Sequence, residues 1–173
     1  LEYRLRRRDG EYRWALDAGR PRFGRDGEFL GYIGSVIDIS ARKQAEALFR
    51  ELVERAPYGI YIVDSRFRIS HMNSASQTGT FRNIRPAIGR DLAEVMRILW
   101  PEPVAEEVVA AFRRTLETGD PYRSKDFVNP RSDIDAVEAY EWEVHRITLA
   151  DGQYGAICYY FDSTRLREAE QSV

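Results

Sequence analysis

The sequence predicts an α+β protein: a five-stranded antiparallel sheet with helices on one face, plus a partial second sheet and a connecting amphipathic helix. Three observations carry this expectation. Short β-rich runs are punctuated by Asp-Gly turns, an internal repeat recurs at the spacing of one small domain, and two stretches show helical 3–4 apolar spacing. The turns Asp9-Gly10 and Asp26-Gly27 join β-like runs at Leu1 to Arg8, Glu11 to Ala18 and Glu28 to Ile37. Both are hairpin dipeptides, because glycine takes the positive φ that a tight turn requires.

The repeat shows what these three strands belong to. Tyr12-Arg13-Trp14 recurs as Tyr140-Glu141-Trp142, and Asp26-Gly27 recurs as Asp151-Gly152. Gly31 precedes Asp38 by seven residues, as Gly155 precedes Asp162, and the two aspartates lie 124 residues apart. Each aspartate is followed two positions later by a hydroxyl, Ser40 or Thr164, and then by basic residues. One domain plus a linker fills that spacing. The reading is therefore residues 1–39 as the last three strands of a first copy, 40–56 as a connector helix, 57–162 as a complete second copy, and 163–173 as the start of an output helix.

Within the second copy, Gly59 to Val63 and Arg68 to Met72 read as a hairpin of β-branched and aromatic residues. Ser74 to about Ile98 reads as short helices and loops broken at Gly79 and Gly89. Glu102 to Glu117 reads as a helix, with Val104, Val108, Phe112 and Leu116 on one stripe and Gly119 as its stop. Tyr122 to Val128, Ala139 to Leu149 and Tyr154 to Phe161 close the domain as strands. In the connector, Ser40 caps a helix that runs toward Pro57. Its apolar positions Ala41, Ala45, Leu48, Phe49, Leu52 and Val53 form one stripe on a charged surface, and a stripe of this kind needs a partner.

Several of these residues resemble the PAS family and its C-terminal PAC motif. Asp38-Ile39-Ser40-Ala41-Arg42-Lys43 is similar to the family's Asp-Ile-Thr-x-Arg-Lys run. Arg7-Arg8-Asp9-Gly10-Glu11-Tyr12-Arg13-Trp14 is similar to its Lys-Asp-Gly-x-x-x-Trp strand pair. In the second copy the resemblance rests on Asp64, on Met72-Asn73-Ser74-Ala75, on Gly89-Arg90-Asp91-Leu92 and on Asp162-Ser163-Thr164, where Ser163 replaces an aliphatic residue. The resemblance implies a sensory module whose sheet wraps a small cavity. It also implies a relay through Asp38, Ser40, Arg42, Asp162 and Thr164 into the departing helices. Each aspartate is expected to accept from early helix amides and to pair with a nearby arginine such as Arg42.

Strand alternation places Tyr140, Trp142 and Val144 inward and Glu141, Glu143 and His145 outward. On the last strand Ala156, Cys158 and Tyr160 face inward. Ile157, Tyr159 and Phe161 then form an apolar outer face that the connector helix or a second subunit must cover. Phe81, Leu92, Met96, Leu99, Trp100, Val108 and Phe112 are expected from the helical side. Two readings of the interior stand. One is a pocket formed by Phe81, Met96, Trp100, Phe112, Trp142, Val144, Arg146, Cys158 and Tyr160 for a small apolar or aromatic ligand, with Tyr160, Trp142 or Arg146 fixing its polarity. The other is a core filled by these same bulky groups, which close packing favours.

Other chemistries find little support. The helix Glu102 to Glu117 carries no histidine for haem and the chain has no Cys-x-x-Cys-His, while Cys158 lies on the last strand, away from where a flavin-reactive cysteine would stand. His71 and His145 lack a second metal ligand and read as structural or surface groups. Arg4, Arg6, Arg7 and Arg8 alternate among Glu2, Asp9 and Glu11, a solvated strand face, and the net charge is −2, so nucleic acid is not an expected partner. Cys158 is the single cysteine, which fits a reducing, cytoplasmic setting. No apolar run approaches the roughly 20 residues that span a bilayer, and no direct membrane contact is expected. No catalytic residue and no metal site are assigned.

The expected function is a sensory and dimerisation module of a signalling protein. By family association the parent is a sensor histidine kinase; a diguanylate cyclase or phosphodiesterase module and a ligand-free interaction scaffold are alternatives. A small enzyme would require an inward histidine or carboxylate, which the alternation does not supply. The expected partners are a second copy, in a parallel homodimer and coiled coil through helix 41–53, and an effector domain in the parent chain. The three leading strands, without helices of their own, are expected to borrow cover or to belong to a longer bacterial chain.

Overall fold

The structure is a computed structural model describing residues 1–171; residues 172 and 173, the end of the expected output helix, lie outside the described residues. The strands and helices are β1 (Glu2–Arg6), β2 (Tyr12–Phe23), β3 (Phe29–Asp38), α1 (Ser40–Glu54), β4 (Gly59–Val63), β5 (Ile69–Met72), α2 (Ser74–Thr78), α3 (Leu92–Leu99), α4 (Glu102–Thr118), β6 (Tyr122–Pro130), β7 (Val137–Thr148), β8 (Tyr154–Asp162) and α5 (Thr164–Gln171). The chain divides into two compact units, one comprising Leu1–Leu52 and the other beginning at Val53.

In the first unit, β1, β2 and β3 pair antiparallel in chain order. β2 runs past Ala18, where the sequence reading ended it, because its far half still pairs with β3, from Arg20↔Ile33 to Phe23↔Phe29. The register slips between Pro21 and Phe23, as it must where a residue lacks the N–H that a ladder needs. Only Ala15 and Ile39 among the apolar residues of this unit are buried, while Phe23, Tyr32 and Ile33 remain 61, 77 and 59% exposed. The α1 stripe is likewise open: Leu48, Phe49 and Leu52 are 59, 69 and 64% exposed.

In the second unit the sheet order is β5-β4-β8-β7-β6, with every pairing antiparallel. The hairpin β4–β5 is held at its end by Asn73, which is 2% exposed. Its side-chain oxygen accepts from Ile60 N (2.9 Å) and Ser76 N (3.1 Å), and its amide donates to the Val53 and Tyr58 carbonyls at 3.0 Å. One side chain thus ties the sheet to the cap of α2. Asp91 caps α3 in the same manner by accepting from Glu94 N at 3.1 Å.

Helix α4 presents Ala105, Val108, Phe112 and Thr115 to the interior, the 3–4 spacing legible in the sequence. It stops at Gly119, whose φ of +82° closes the last turn with an N–H bond to Thr115 O. The inner face of the sheet, α3 and α4 enclose the core, in which Val63, Leu92, Val95, Leu99, Phe112 and Val144 are fully buried. Each such side chain contributes about 1.5–3 kcal/mol by leaving water.

The register corrects one part of the repeat. Ala15 pairs with Asp38, and Tyr140 pairs with Asp162. Trp14 N donates to Ser40 Oγ and Trp14 O accepts from Ile39 N; in the second copy Ala139 makes the corresponding pair with Thr164 Oγ1 and Ser163 N. Trp14 therefore corresponds to Ala139, three residues from the Trp142 that the motif match selected. An odd offset exchanges faces. Trp142 is core, whereas Trp14 is 37% exposed and lies under Lys43, whose Nζ sits 4.9 Å from its ring centroid.

Candidate functional site

The interior of the second unit holds a small cavity between the sheet and the helices. Tyr61 from β4, Trp142 from β7, and Cys158 and Tyr160 from β8 form its sheet side. Phe81, Met96, Trp100 and Val108 form its helical side, with Phe127, Tyr140 and Thr80 at the remaining wall. Its volume is about 40 Å³, room for about one water molecule. Aromatic rings dominate it: Tyr61 stacks on Phe112 at 5.8 Å, and Tyr140 meets Tyr160 edge-on at 5.6 Å. Tyr160 lies across Gly59, where a Cβ would stand 2.0 Å from the ring's Cζ. Glycine is therefore required at that point for the ring to reach the interior.

No acidic or basic side chain lines this cavity. Burial pushes the Cys158 thiol up to about 12 and raises Tyr61 and Tyr160 above the usual phenol range. All three are neutral hydrogen-bonding groups at ordinary pH. The buried Trp142 Nε1 has no hydrogen-bond partner among the described residues, whereas the Tyr160 hydroxyl lies against Ser76 and Thr80, whose hydrogen bonding partly offsets the upward push of burial.

Of the residues chosen from the sequence, Phe81, Met96, Trp100, Trp142, Cys158 and Tyr160 line this space. Phe112 and Val144 are fully buried in the same core behind it. Arg146 is elsewhere: it lies over the Tyr154 ring at 4.1 Å, and its Nη1 donates to the carbonyls of Leu116 and Glu117 at the end of α4. A long charged side chain reaches carbonyls and solvent at a helix C-terminus more cheaply than an apolar interior. Tyr61, Thr80, Phe127 and Tyr140 were not among the chosen pocket residues. The alternation of β4, which puts Tyr61 beside Val63 on the inner face, was the available signal for the first. The others are placed by contacts remote in sequence.

One such contact set is a buried ionic cluster beside the cavity. The Arg131 side chain is fully buried and donates to Asp133, to Glu138 Oε2 at 2.7 Å and to the Thr80 carbonyl at 2.8 Å. Its guanidinium lies 5.2 Å from the Trp100 ring centroid. Glu138 also accepts from the Tyr140 hydroxyl at 2.6 Å and from Arg82 at 3.1 Å, while Thr80 donates to the Tyr140 oxygen at 2.9 Å. Burial alone would raise Glu138, but the bonds from Tyr140, Arg82 and Arg131 outweigh it and hold the carboxyl below its usual range. The cavity wall at Tyr140 is thereby bonded to both the loop after α2 and the β6–β7 hairpin.

The relay positions occupy two like corners. Asp38 Oδ1 accepts from Ser40 N at 2.9 Å, and Asp162 Oδ1 accepts from Thr164 N at 3.0 Å. The bonds from Ser40 hold the Asp38 carboxyl below the usual range. Each hydroxyl then accepts from a strand amide, Trp14 N or Ala139 N, at 2.9 Å, so strand end and helix start are pinned together. Arg42 does not pair with Asp38. It binds Glu2 at 2.5 Å and Glu46 at 3.7 Å, because a side chain in the first turn of α1 points away from the corner toward β1. A further grip occurs in the second unit: Arg167 Nη2 donates to Lys125 O (3.0 Å) and Asp126 Oδ1 (2.9 Å), at the point where the β6–β7 register is irregular.

The outer face of the sheet carries an open groove of about 650 Å³ around Tyr58, Arg123, Glu143, Tyr159 and Phe161. Phe161 is 50% exposed. His145 sits on this face beside Glu143 at 3.6 Å, outside the cavity, and His71 is exposed. Among the described residues there is no group of three or more His, Cys, Asp or Glu placed to hold a metal, and no helix long and apolar enough to cross a membrane.

Comparison with known proteins bears on this geometry. The PAS domain of a Colwellia psychrerythraea protein superposes with a TM-score of 0.54 at 17% identity, covering 72% of this chain and 98% of that one. The PAS domain of nitrogen regulation protein NR(II) from Vibrio parahaemolyticus gives 0.52 at 14%, over 66% and 97% of the two chains. VqmA bound to DPO gives 0.53 at 20%, over 68% and 57%. The uncharacterized protein y4lL of Sinorhizobium fredii is 50% identical over 46 residues, 27% of this chain; the match spans 6% of that protein's length. Residues 53–168 match the family model described as the PAS fold. With its antiparallel sheet in the order β5-β4-β8-β7-β6 closed over by α2–α4, the chain belongs to the PAS family of sensory domains.

Proposed function

We propose that this chain is the sensory and dimerisation module of a larger bacterial signal-transduction protein, with a sensor histidine kinase as the parent and the cytoplasm as its setting. A small ligand taken into the second unit's interior would change the packing of β7 and β8. The Asp162–Thr164 corner would carry that change into α5, and the Asp38–Ser40 corner would act likewise between β3 and α1. Helix 41–53 would pair with its counterpart in a second copy through Leu48, Phe49 and Leu52. The observation that carries the reading is the aromatic, charge-free cavity, lined by Cys158 and Tyr160 of the strand that runs directly into the clamped α5 corner. The likeness to VqmA, a protein solved with DPO bound, supports a small-molecule ligand.

Mass spectrometry of the full chain, purified without denaturation, tests it. A stoichiometric small molecule that is released on unfolding is the expected result. A ligand-free protein with no change in α1 or α5 under any screened metabolite would leave the interaction-scaffold reading, which the small volume of the cavity favours.

A further inference from the structure

The capping bonds of the two corners are alike, but the residues beneath them are not. Ile39, directly after Asp38, is an apolar side chain and 7% exposed. Its counterpart after Asp162 is Ser163, 2% exposed, whose Oγ has no hydrogen-bond partner among the described residues. The two backbones do the same work: Ile39 N donates to Trp14 O and Ser163 N to Ala139 O. Their carbonyls accept the first helical bonds, from Lys43 N at 3.0 Å and from Arg167 N at 3.1 Å. An apolar group stabilises such a niche, whereas a hydroxyl shut in without a partner destabilises it.

The tie from strand to helix differs in the same direction. Tyr3 pairs with Ala15 as Phe127 pairs with Tyr140, so Glu2 and Asp126 hold equivalent places. Lys43 and Arg42 both bind Glu2 at 2.5 Å and hold its carboxyl below the usual range. Glu2 is in regular register with Leu16, and Lys43 also covers the Trp14 ring. In the second unit Arg167 alone binds Asp126, at 2.9 Å, while Leu166 and Ala139 stand where Arg42 and Trp14 do. The Asp126 side chain is 90% exposed and lies where the β6–β7 register is irregular. An ion pair so open to water contributes little.

We propose that the two joints are built to different stiffness: α1 is held firmly to its sheet, whereas Ser163 keeps the β8–α5 joint soft, so that α5 is the helix that changes its angle when the sheet moves. A joint near balance answers a small push, and a more stable one stays closed. The proposal deepens the relay reading above by naming the joint that yields, and it does not depend on a ligand.

Amide hydrogen exchange of the full chain, followed by NMR without ligand, tests it at Arg167 N and Lys43 N, the equivalent first-turn amides. Corrected for intrinsic rates, Arg167 N is expected to exchange about tenfold faster or more, the effect of one buried unpaired group. Ser163→Ile fills the niche, and Ser163→Ala removes the hydroxyl alone. At least one of them is expected to slow Arg167 N about fivefold or more, with Lys43 N unchanged. The reverse swap, Ile39→Ser, is expected to speed Lys43 N about tenfold and to leave Arg167 N as it was. The proposal is overturned if Arg167 N slows in neither Ser163 variant, if Lys43 N is unmoved by Ile39→Ser, or if both amides of the wild type exchange alike. None of these results bears on ligand binding, and a ligand-free interior in mass spectrometry leaves the soft joint standing.

Discussion

The two copies of the strand–corner–helix unit share a corner and differ in what lies on their sheets. Asp38–Ser40–Trp14 and Asp162–Thr164–Ala139 make the same three bonds to within 0.1 Å. Above those corners, β7 and β8 bury a layer of rings against α3 and α4. β2 and β3 instead leave Tyr32, Ile33 and Val36 more than half exposed. The register makes the contrast specific: the Trp142–Tyr160 pair corresponds to Asp17–Val36 in the first copy, a surface pair. The corner is thus a local device that survives without a core, and the cavity is a tertiary one that requires helices over the sheet.

The comparison is best tested where the expected effects are largest. Phe112→Ala in the covered sheet's core is expected to cost about 3–5 kcal/mol, and Tyr32→Ala on the bare sheet less than about 0.5 kcal/mol, both read by urea denaturation. A loss above 1 kcal/mol at Tyr32 would mean that the first sheet's face is covered in solution. Arg131→Met is expected to be similarly severe, about 3–5 kcal/mol, because it takes the Arg131 cation from Asp133 and leaves Glu138 with Arg82 alone.

The same cluster adds an acid dependence from partly buried carboxylates. Glu138 is held below its ordinary value of 4.5. Its contribution is therefore complete above pH 4.5 and is lost as the pH falls through the lower, folded-state value. Thermal melts of wild type should decline across that interval. Glu138→Gln should start lower and decline less steeply, and parallel curves would remove Glu138 from the account.

Leu48→Glu with Leu52→Glu is expected to convert a dimer to a monomer in sedimentation, since both side chains are exposed on α1; a persisting dimer would move the interface elsewhere. The smallest effect is at the corners themselves. Ser40→Ala and Thr164→Ala should each cost about 1 kcal/mol, and by similar amounts if the two corners are equivalent. Increased hydrogen exchange confined to α1 in one variant and α5 in the other would sharpen that equivalence.

Much of this architecture was readable without coordinates. The succession of strands and helices along the chain, the Asp-Gly turns, α4 from its Val108–Phe112 spacing and the two capped corners follow from signals confined to a few neighbouring residues, where backbone preference and side-chain period decide the outcome. The inward set Trp142, Val144, Cys158 and Tyr160 followed from alternation alone.

Tertiary structure decided what depends on partners far along the chain. It set the register that equates Trp14 with Ala139, since a motif match cannot sense which carbonyl a strand will face. It gave Arg42 to Glu2 and sent Arg146 to the end of α4. It buried Arg131 in a stretch that reads as a polar loop, because Thr80, 51 residues away, supplies the carbonyl that makes burial affordable. Local chemistry specifies elements and corners; the cavity exists only where separate elements converge, because enclosure is a property of packing and not of any one segment.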